Sequence, residues 1–226
     1  DPSVSIGSEK WKGLMRWAMD ECERLGLTFG THNCPGWSSS AYPTVEPQYS
    51  MLKLVYSEMV LPTGKLPKKI SLKKPEVDST WNYYEDVAVI AIPNDSIIKK
   101  EDVVFLSDCL NKETDELTLP KGLAEGIAVL RIGQTTIGKT NASQSPESGK
   151  GLECDKLSRE AVLKFWQGYP QMVIDIAGHH AGKTFTHFEI DSYEAGGQTW
   201  TGILPEEFKK RRGYDIMPYI PYMIGR

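Results

Sequence analysis

Apolar residues recur at spacings of three and four between residues 8 and 25, which is the pattern of an amphipathic helix. Ser8 is a suitable N-cap for this helix, and Gly26 is a suitable stop. A short strand is predicted at residues 27–32, and it runs into a loop rich in glycine and serine. A second strand is predicted at residues 184–190, again followed by a polar loop with glycines. This order of helix, strand and loop is typical of α/β proteins.

Three further segments are predicted to be helical. Residues 47–60 provide apolar side chains for one helical face. Residues 157–178 carry an apolar stripe, and Pro170 is expected to kink that helix. Residues 205–212 begin with a proline and end before a glycine, which suits the two ends of a helix.

The middle of the chain has a different pattern. Between residues 61 and 132, short apolar or alternating runs are separated by turns, and they predict an antiparallel β-rich module. We therefore predict an α/β fold, a partial TIM-type (β/α) barrel with a β-sandwich-like insertion. Residues 1–60 form the first part of the barrel, residues 61–132 the insertion, and residues 133–226 the continuation with the active-site strand. A complete barrel needs about 250 residues, so roughly half of one is expected.

Composition narrows the possible partners. The 226 residues are 40% hydrophobic and 25% charged, as in ordinary globular proteins. The formal net charge of −4 provides no basic surface, so nucleic acid is not an expected partner. The sequence lacks a run of about 18 apolar residues, so membrane insertion is not expected either. The first residues do not resemble a signal peptide, and the four cysteines are not spaced as zinc ligands.

Two carboxylates, Asp191 and Glu194, follow the second predicted strand. Catalytic groups of (β/α) barrels converge at strand ends. Glycoside hydrolysis generally needs one protonated carboxyl group and one further carboxylate. Glu194 is therefore the candidate general acid. A structural alternative stays open, in which Asp191 caps the following turn and Glu194 is only solvated.

The other polar candidates lie in the first loop and in a histidine pair. His32, Asn33 and Trp37 offer hydrogen bonds and an aromatic face, which suit the hydroxyl groups and ring face of a sugar. A lone histidine is also commonly a structural residue, and this interpretation of His32 stays open. His179 and His180 follow a predicted helix end, and we interpret them as surface residues or partners of the helix dipole, not as metal ligands.

Four segments of the sequence carry a family resemblance. They are THNCPGWSSS at residues 31–40, GLECDKLS at residues 151–158, DSYE at residues 191–194 and FKKRRGYD at residues 208–215. Together they resemble glycoside hydrolase family 106, the α-L-rhamnosidase-like enzymes, over nearly the whole chain. The family pattern favours glycines before an aromatic residue where this chain has Ala-Tyr-Pro at residues 41–43, so the subsite beside Ser40 is expected to differ.

The resemblance implies an inverting hydrolase, often calcium-assisted, that cleaves α-L-rhamnosidic bonds of plant-type polysaccharides in gut and soil bacteria. It implies Glu194 as the general acid, while the calcium ligands cannot be assigned. The general base is expected beyond Arg226, in the remainder of a longer parent chain. The resemblance further implies a substrate pocket formed by His32, Asn33, Trp37, Glu153 and Asp191.

Partners and location follow from the same resemblance. A carbohydrate substrate and the remainder of the parent chain are the expected partners, and the periplasm or the extracellular space is the expected location. Two other functions stay open. The protein could be a glycosidase for a different sugar, or a non-catalytic carbohydrate-binding protein in which Glu194 only forms hydrogen bonds. The 226 residues alone need not be active.

Overall fold

The computed structural model of the chain describes residues 4–36, 38–40, 45–94, 97–140, 147–191 and 195–226. The chain divides into two compact units. The first unit comprises Asp1–Met51 and Thr136–Thr201, and the second comprises Leu52–Thr135 and Gly202–Arg226. The domain boundaries predicted after residues 60 and 132 stay a prediction.

The described helices and strands occur in blocks rather than in strict alternation. In chain order they are α1 (Glu9–Arg24), β1 (Phe29–His32), β2 (Leu52–Leu61), β3 (Lys69–Ser71), β4 (Glu85–Pro93), β5 (Val104–Phe105), β6 (Leu110–Asn111), β7 (Glu116–Thr118), β8 (Ile127–Thr136), α2 (Arg159–Trp166), α3 (Tyr169–Ala177), β9 (Phe185–Glu189), α4 (Leu204–Arg212) and α5 (Ile220–Met223). Among the described helices, none is both long and apolar enough to cross a bilayer.

Helix α1 begins and ends as its sequence predicts. The Ser8 Oγ accepts a hydrogen bond from the Trp11 backbone N–H at 3.2 Å, which satisfies one donor of the first turn. Gly26 follows the helix with φ at +68°, a left-handed conformation that glycine adopts without a steric penalty. The predicted cap and stop are both confirmed.

The first unit is built on a two-stranded parallel sheet. Strands β1 and β9 pair with Gly30 opposite His187 and with His32 opposite Glu189. A Cβ atom on Gly30 would lie 2.3 Å from His187 Nε2, so any larger residue there would displace the imidazole. Helices α1 and α3 pack with the sheet through a buried apolar cluster of Met19, Tyr169, Val173, Ala177 and Phe185.

The predicted TIM-type (β/α) barrel is wrong. The parallel sheet has only two described strands. Strand β4 pairs antiparallel with β5 and β8, and β7 pairs antiparallel with β3 and β6. A (β/α) barrel requires eight parallel strands that are each followed by a helix. Among the described residues, helices pack against parallel strands only at β1 and β9. The other described strands belong to antiparallel sheets, so the fold is mostly antiparallel β structure with few helices.

The helix predicted at residues 47–60 is also wrong. Residues Pro47–Tyr49 form a short 3-10 turn, and the strand β2 follows it. Strand β2 lies beside β8 in a four-stranded sheet, so its hydrogen-bond partner is distant in sequence. Val55 and Tyr56 have side chains that favour strands. Local apolar spacing could not reveal that pairing.

The helix predicted at residues 157–178 is in fact two helices. Helix α2 ends at Trp166, and α3 begins at Tyr169 with Pro170 in its first turn. Proline lacks an N–H group and has a fixed φ, so it is tolerated in the first turn of a helix but not in its interior. The predicted kink is therefore a complete break.

The second unit contains two antiparallel sheets that share one apolar core. The four-stranded sheet has the order β2-β8-β4-β5, and the three-stranded sheet has the order β3-β7-β6. All ten residues of β8 are buried. Side chains from both sheets form the core, namely Leu61, Ile70, Leu72, Val89, Ala91, Leu106, Leu117, Leu119, Ile127 and Val129.

A buried arginine ties these two sheets together. The Arg131 side chain on β8 is 0% exposed. It donates to both carboxylate oxygens of Asp86 on β4, at 2.7 and 3.0 Å. It also donates to Asp115 Oδ1 at 2.6 Å and to the Leu72 carbonyl oxygen at 3.0 Å, both beside the three-stranded sheet. Such a group is stable only while its charge and donors are satisfied.

The same contacts set the protonation of Asp86. Burial raises its pKa, but hydrogen bonds from Arg131 and Tyr84 and the positive charge of Arg131 outweigh burial, so the pKa lies below the ordinary value of 3.8. The Tyr84 hydroxyl donates to Asp86 Oδ1 at 2.7 Å. Asp86 therefore stabilises the folded state as a carboxylate.

Replacing Arg131 should strongly destabilise the second unit. We expect Arg131→Met to lower the free energy of unfolding by about 3 to 5 kcal/mol, because Asp86 then loses its buried partner. Urea denaturation measures this change. The control is Lys69→Met, which removes an exposed ion pair with Glu116 and should cost less than about 1 kcal/mol. Equal effects of the two variants would contradict the role given to Arg131.

The stabilisation from Asp86 should depend on pH. Its lowered pKa means that the contribution is fully present above the unfolded-state value near 3.8 and is lost as the pH falls through the lower folded-state pKa. We therefore expect the stability difference between wild type and Asp86→Asn to shrink as the pH falls below that value. Chemical denaturation across acidic pH measures it, and Asp108→Asn, at an exposed position, should show no such trend. A difference that is independent of pH would disprove the linkage.

Candidate active site

The two loops singled out from the sequence leave the same edge of the parallel sheet. His32 at the end of β1 lies opposite Glu189 at the end of β9. The Asn33 backbone N–H donates to the Glu189 carbonyl oxygen at 3.0 Å, which holds the two loop starts side by side. Asp191 is exposed and lies two residues beyond this bond. The carboxyl ends of parallel strands are where ligand sites of α/β folds form.

His32 and Asn33 present polar atoms at this edge. The His32 side chain is 39% exposed, and its Nε2 lies 3.8 Å from Glu189 Oε2. Asn33 is buried, and its Nδ2 donates to Ser39 Oγ at 3.1 Å. Within the part of the chain that the structure describes, His32 Nδ1 and Asn33 Oδ1 are buried and have no hydrogen-bond partner. Buried polar atoms are normally paired, but neither of these two atoms is exposed, so a ligand group could reach them only after a local rearrangement.

Two predicted site residues lie outside the described residues. They are Trp37 and Glu194, and the neighbours Ser192 and Tyr193 fall in the same gap. Of the two predicted carboxylates, the structure therefore describes only Asp191. Their roles stay predictions.

Glu153 is a fully buried carboxylate that holds the first loop. Its side chain is 0% exposed. The Ser39 backbone N–H donates to Oε1 at 2.9 Å, and the Ser40 hydroxyl donates to Oε2. The Lys156 ammonium also donates to Oε1. Because both oxygens have protein donors, this geometry makes Glu153 a residue that positions the loop around Ser39 and Ser40.

The segment around Glu153 runs between several parts of the first unit. The Cys154 N–H donates to the Ser39 carbonyl oxygen at 3.1 Å, and the Met51 N–H donates to the Glu153 carbonyl oxygen at 2.9 Å. The Gln198 Nε2 donates to Asp155 Oδ1 at 2.7 Å. Gln198 follows the Asp191–Glu194 segment in sequence. Residues 153–155 thus link the segment at residues 31–40 to the chain that follows the DSYE segment.

The two cysteines near this segment are buried thiols. Burial raises the pKa of Cys34 to about 11 and that of Cys154 to about 12. A thiol with such a pKa is not ionised at neutral pH, and the thiolate is the nucleophilic form. Cys34 instead donates to the Ser38 carbonyl oxygen. Neither cysteine suits covalent catalysis.

The sequence interpretation missed Glu189, Lys156 and Gln198 as contributors to this region. A signal was available for Lys156, since a lysine three residues after a glutamate can form an ion pair. Glu189 and Gln198 gave no such local signal. Their positions depend on the pairing of β1 with β9 and on the path of the chain after β9.

The described residues contain no cluster of three or more carboxylates that could bind calcium. Calcium takes six to eight oxygen ligands, several of them carboxylates. Among the described residues, the one group of three or more His, Cys, Asp or Glu close enough to share a metal is Asp20, His179 and His180. Two of its members offer imidazole nitrogens, which do not suit calcium. The calcium expected from the family resemblance stays a prediction.

Comparison with known proteins places the chain in a family. A family model described as alpha-L-rhamnosidase, glycoside hydrolase family 106, matches residues 1–80 and 74–226. The chain belongs to this family. The resemblance inferred from the sequence is thereby confirmed, and the family 106 assignment covers both compact units.

Two individual proteins extend the comparison of this family 106 chain. A protein of Formosa agariphila, provisionally named as a beta-glucuronidase, is 34% identical over 255 aligned positions. The alignment covers 98% of this chain and 21% of that protein. The solved structure of a rhamnosidase from Novosphingobium sp. PP1Y is similar with a TM-score of 0.76 at 19% identity, over 97% of this chain and 36% of that one. The chain thus spans well under half the length of either protein.

Removing the Glu153 carboxylate should loosen the first loop. We expect Glu153→Ala to lower the free energy of unfolding by about 3 to 5 kcal/mol, because Lys156 and the Ser39 N–H lose a buried partner. Glu153→Gln keeps the acceptor oxygen and should cost less. Thermal denaturation measures the loss, and hydrogen exchange of the Ser39 amide reports on the loop. The control Glu160→Ala lies at an exposed position on α2 and should have little effect. An unchanged Ser39 exchange rate in Glu153→Ala would contradict the positioning role.

Proposed function

We propose that this chain is part of a glycoside hydrolase that cleaves α-L-rhamnosidic bonds with inversion, with Glu194 as general acid. The observation that carries the proposal is the match to the alpha-L-rhamnosidase family, which extends from residue 1 to residue 226. The activity belongs to the whole protein, of which these residues are a part in the relatives.

The geometry of the parallel sheet supports a sugar pocket at its carboxyl edge. His32 and Asn33 end one strand, and Asp191 follows the other. The half-exposed His32 side chain and the exposed Asp191 are described groups at this edge that a sugar hydroxyl could contact. Trp37 would supply an apolar face for the sugar ring. Glu153 would support the pocket indirectly, because it accepts hydrogen bonds from Ser39 and Ser40 and so positions the first loop.

The proposed chemistry needs two carboxyl groups. Glu194 donates its proton to the glycosidic oxygen as the bond to the anomeric carbon breaks. A carboxylate base removes a proton from the water that attacks the opposite face of the sugar. In inverting enzymes the two carboxyl groups lie about 6.5 to 9.5 Å apart, which leaves room for this water.

A second candidate is hydrolysis of a β-glucuronide. The Formosa agariphila protein, which is 34% identical to this chain, carries that provisional name. Glucuronides differ from rhamnosides by a carboxylate, which a cationic group would recognise. At the carboxyl edge of the sheet, the half-exposed imidazole of His32 is a group that could contact such a carboxylate. Comparing both substrates therefore separates the two candidates.

Two further parts of the proposal rest on family membership. They are a plant-type polysaccharide as substrate and a periplasmic or extracellular location. The contrasting hypothesis is a non-catalytic carbohydrate-binding protein, in which Glu194 only forms hydrogen bonds. The Glu194→Gln variant separates catalysis from binding, since glutamine keeps the size but cannot donate a carboxyl proton.

The decisive test compares wild type with Glu194→Gln in the full protein that contains this chain. We expect wild type to hydrolyse phenyl α-L-rhamnoside, and the variant to lose about 10²- to 10⁴-fold in kcat while it still binds rhamnose. The loss should be smaller for a dinitrophenyl rhamnoside, whose leaving oxygen needs little protonation. Steady-state kinetics on both substrates measures the difference.

The control for the Glu194 variant is a second glutamate-to-glutamine substitution, at an exposed position. Glu160→Gln changes an exposed carboxylate on α2 and should keep wild-type kinetics. Proton NMR should show that the sugar is released first as the β-anomer. Hydrolysis of a β-glucuronide but not of a rhamnoside would replace the first candidate by the second. Sugar binding without turnover on either substrate would support the binding protein, and equal losses on both leaving groups would argue against Glu194 as the acid.

A further inference from the structure

Two histidines and two carboxylates meet where α1 contacts the turn between α3 and β9. Asp20 and Glu23 lie three residues apart on α1, so their side chains share one helical face. His179 and His180 belong to the 3-10 turn Gly178–His180. His180 Nε2 lies 2.8 Å from Asp20 Oδ1, and single nitrogen or oxygen atoms of Asp20, His179 and His180 all lie within 4.8 Å of one another.

His180 is not the surface residue that the sequence interpretation expected. Its side chain is 3% exposed, and within the described residues its Nδ1 is buried without a hydrogen-bond partner. A buried polar atom without a partner calls for an explanation. Each nitrogen of His180 faces a carboxylate, since Nε2 lies 2.8 Å from Asp20 and Nδ1 lies 3.8 Å from Glu23 Oε2. In metal-bound histidines the nitrogen that does not bind the metal usually donates to a carboxylate, and Glu23 lies on that side of His180 at 3.8 Å, outside hydrogen-bond distance.

The imidazole and carboxylate groups of this cluster indicate which class of metal it could bind. His179 Nε2 lies 3.8 Å from Glu23 Oε2, so the same carboxylate borders both imidazoles. Two imidazole nitrogens with carboxylate oxygens suit zinc and neighbouring divalent transition metals, whereas calcium prefers oxygen ligands alone. The two carboxylates would balance the charge of a divalent ion.

We propose that Asp20, His179 and His180 bind one divalent transition-metal ion of the zinc class, with the Glu23 carboxylate beside both imidazoles. The ion joins α1 to the turn that leads into β9. The turn precedes Phe185, at the amino end of the parallel sheet, so this site is separate from the loops at the carboxyl edge. The inference does not depend on the proposed glycosidase activity.

The test titrates Zn²⁺ into the full protein, into the variants His179→Ala and Asp20→Asn, and into one control variant. Isothermal titration calorimetry on wild type should show a site whose affinity falls at least about tenfold in His179→Ala, as expected when part of a metal site is lost. The Tm of wild type should rise with added Zn²⁺, and that of the variant should rise much less. His179 is 69% exposed, so its replacement should not disturb folding. Should it do so, Asp20→Asn, which changes a 62% exposed side chain, provides the same test.

His187→Ala is the matched control, because it removes another exposed histidine of the same unit that is not a proposed ligand. Its Zn²⁺ affinity should equal that of wild type. Cobalt substitution gives a further readout, since Co²⁺ bound by wild type should show visible absorption that His179→Ala loses. Zn²⁺ binding that is absent in wild type, or unchanged in both His179→Ala and Asp20→Asn, would overturn the proposal.

Discussion

A buried negative charge at Glu153 constrains the arrangement of the candidate active site. A carboxylate that is removed from water must have donors for its oxygens, and here they come from Ser39, Ser40 and Lys156. These contacts fix the first loop against residues 153–156. Ser39 and Ser40 are therefore held in place beside the start of the loop at Asn33, whose Nδ2 donates to Ser39 Oγ.

The parallel pairing of β1 with β9 provides the second constraint. It sets His32 opposite Glu189 and brings the starts of both polar loops to one edge. The pairing needs glycine at position 30, because a Cβ atom there would collide with the His187 imidazole. The apolar cluster around Met19 packs against the same strands. A site at the carboxyl edge would therefore depend on packing in the body of the first unit. The second unit has its own organising contact, the Arg131 network.

Local features of the fold could be predicted from the sequence, and pairing over long distances could not. The helix α1, its Ser8 cap and the strands β1 and β9 follow from short-range periodicity and capping chemistry. The barrel prediction failed because two helix and strand units do not determine how many parallel strands a sheet contains. The helix at residues 47–60 failed because the partner of β2 is β8, far along the chain.

The candidate site shows the same division. The motifs that indicated the family also singled out two loops, and the strands that lead into those loops end together at His32 and Glu189. The buried role of Glu153 could not be predicted, because burial depends on chain segments far apart in sequence. Unpaired atoms such as Asn33 Oδ1 are visible only once side chains are placed.

The most direct measurement of the central claim is a crystal structure of the full protein with rhamnose bound. The account predicts the sugar at the carboxyl ends of β1 and β9, in contact with His32 and Asp191, with the Glu194 carboxyl group within hydrogen-bond distance of the anomeric oxygen. A sugar bound at a place that touches neither loop would contradict it.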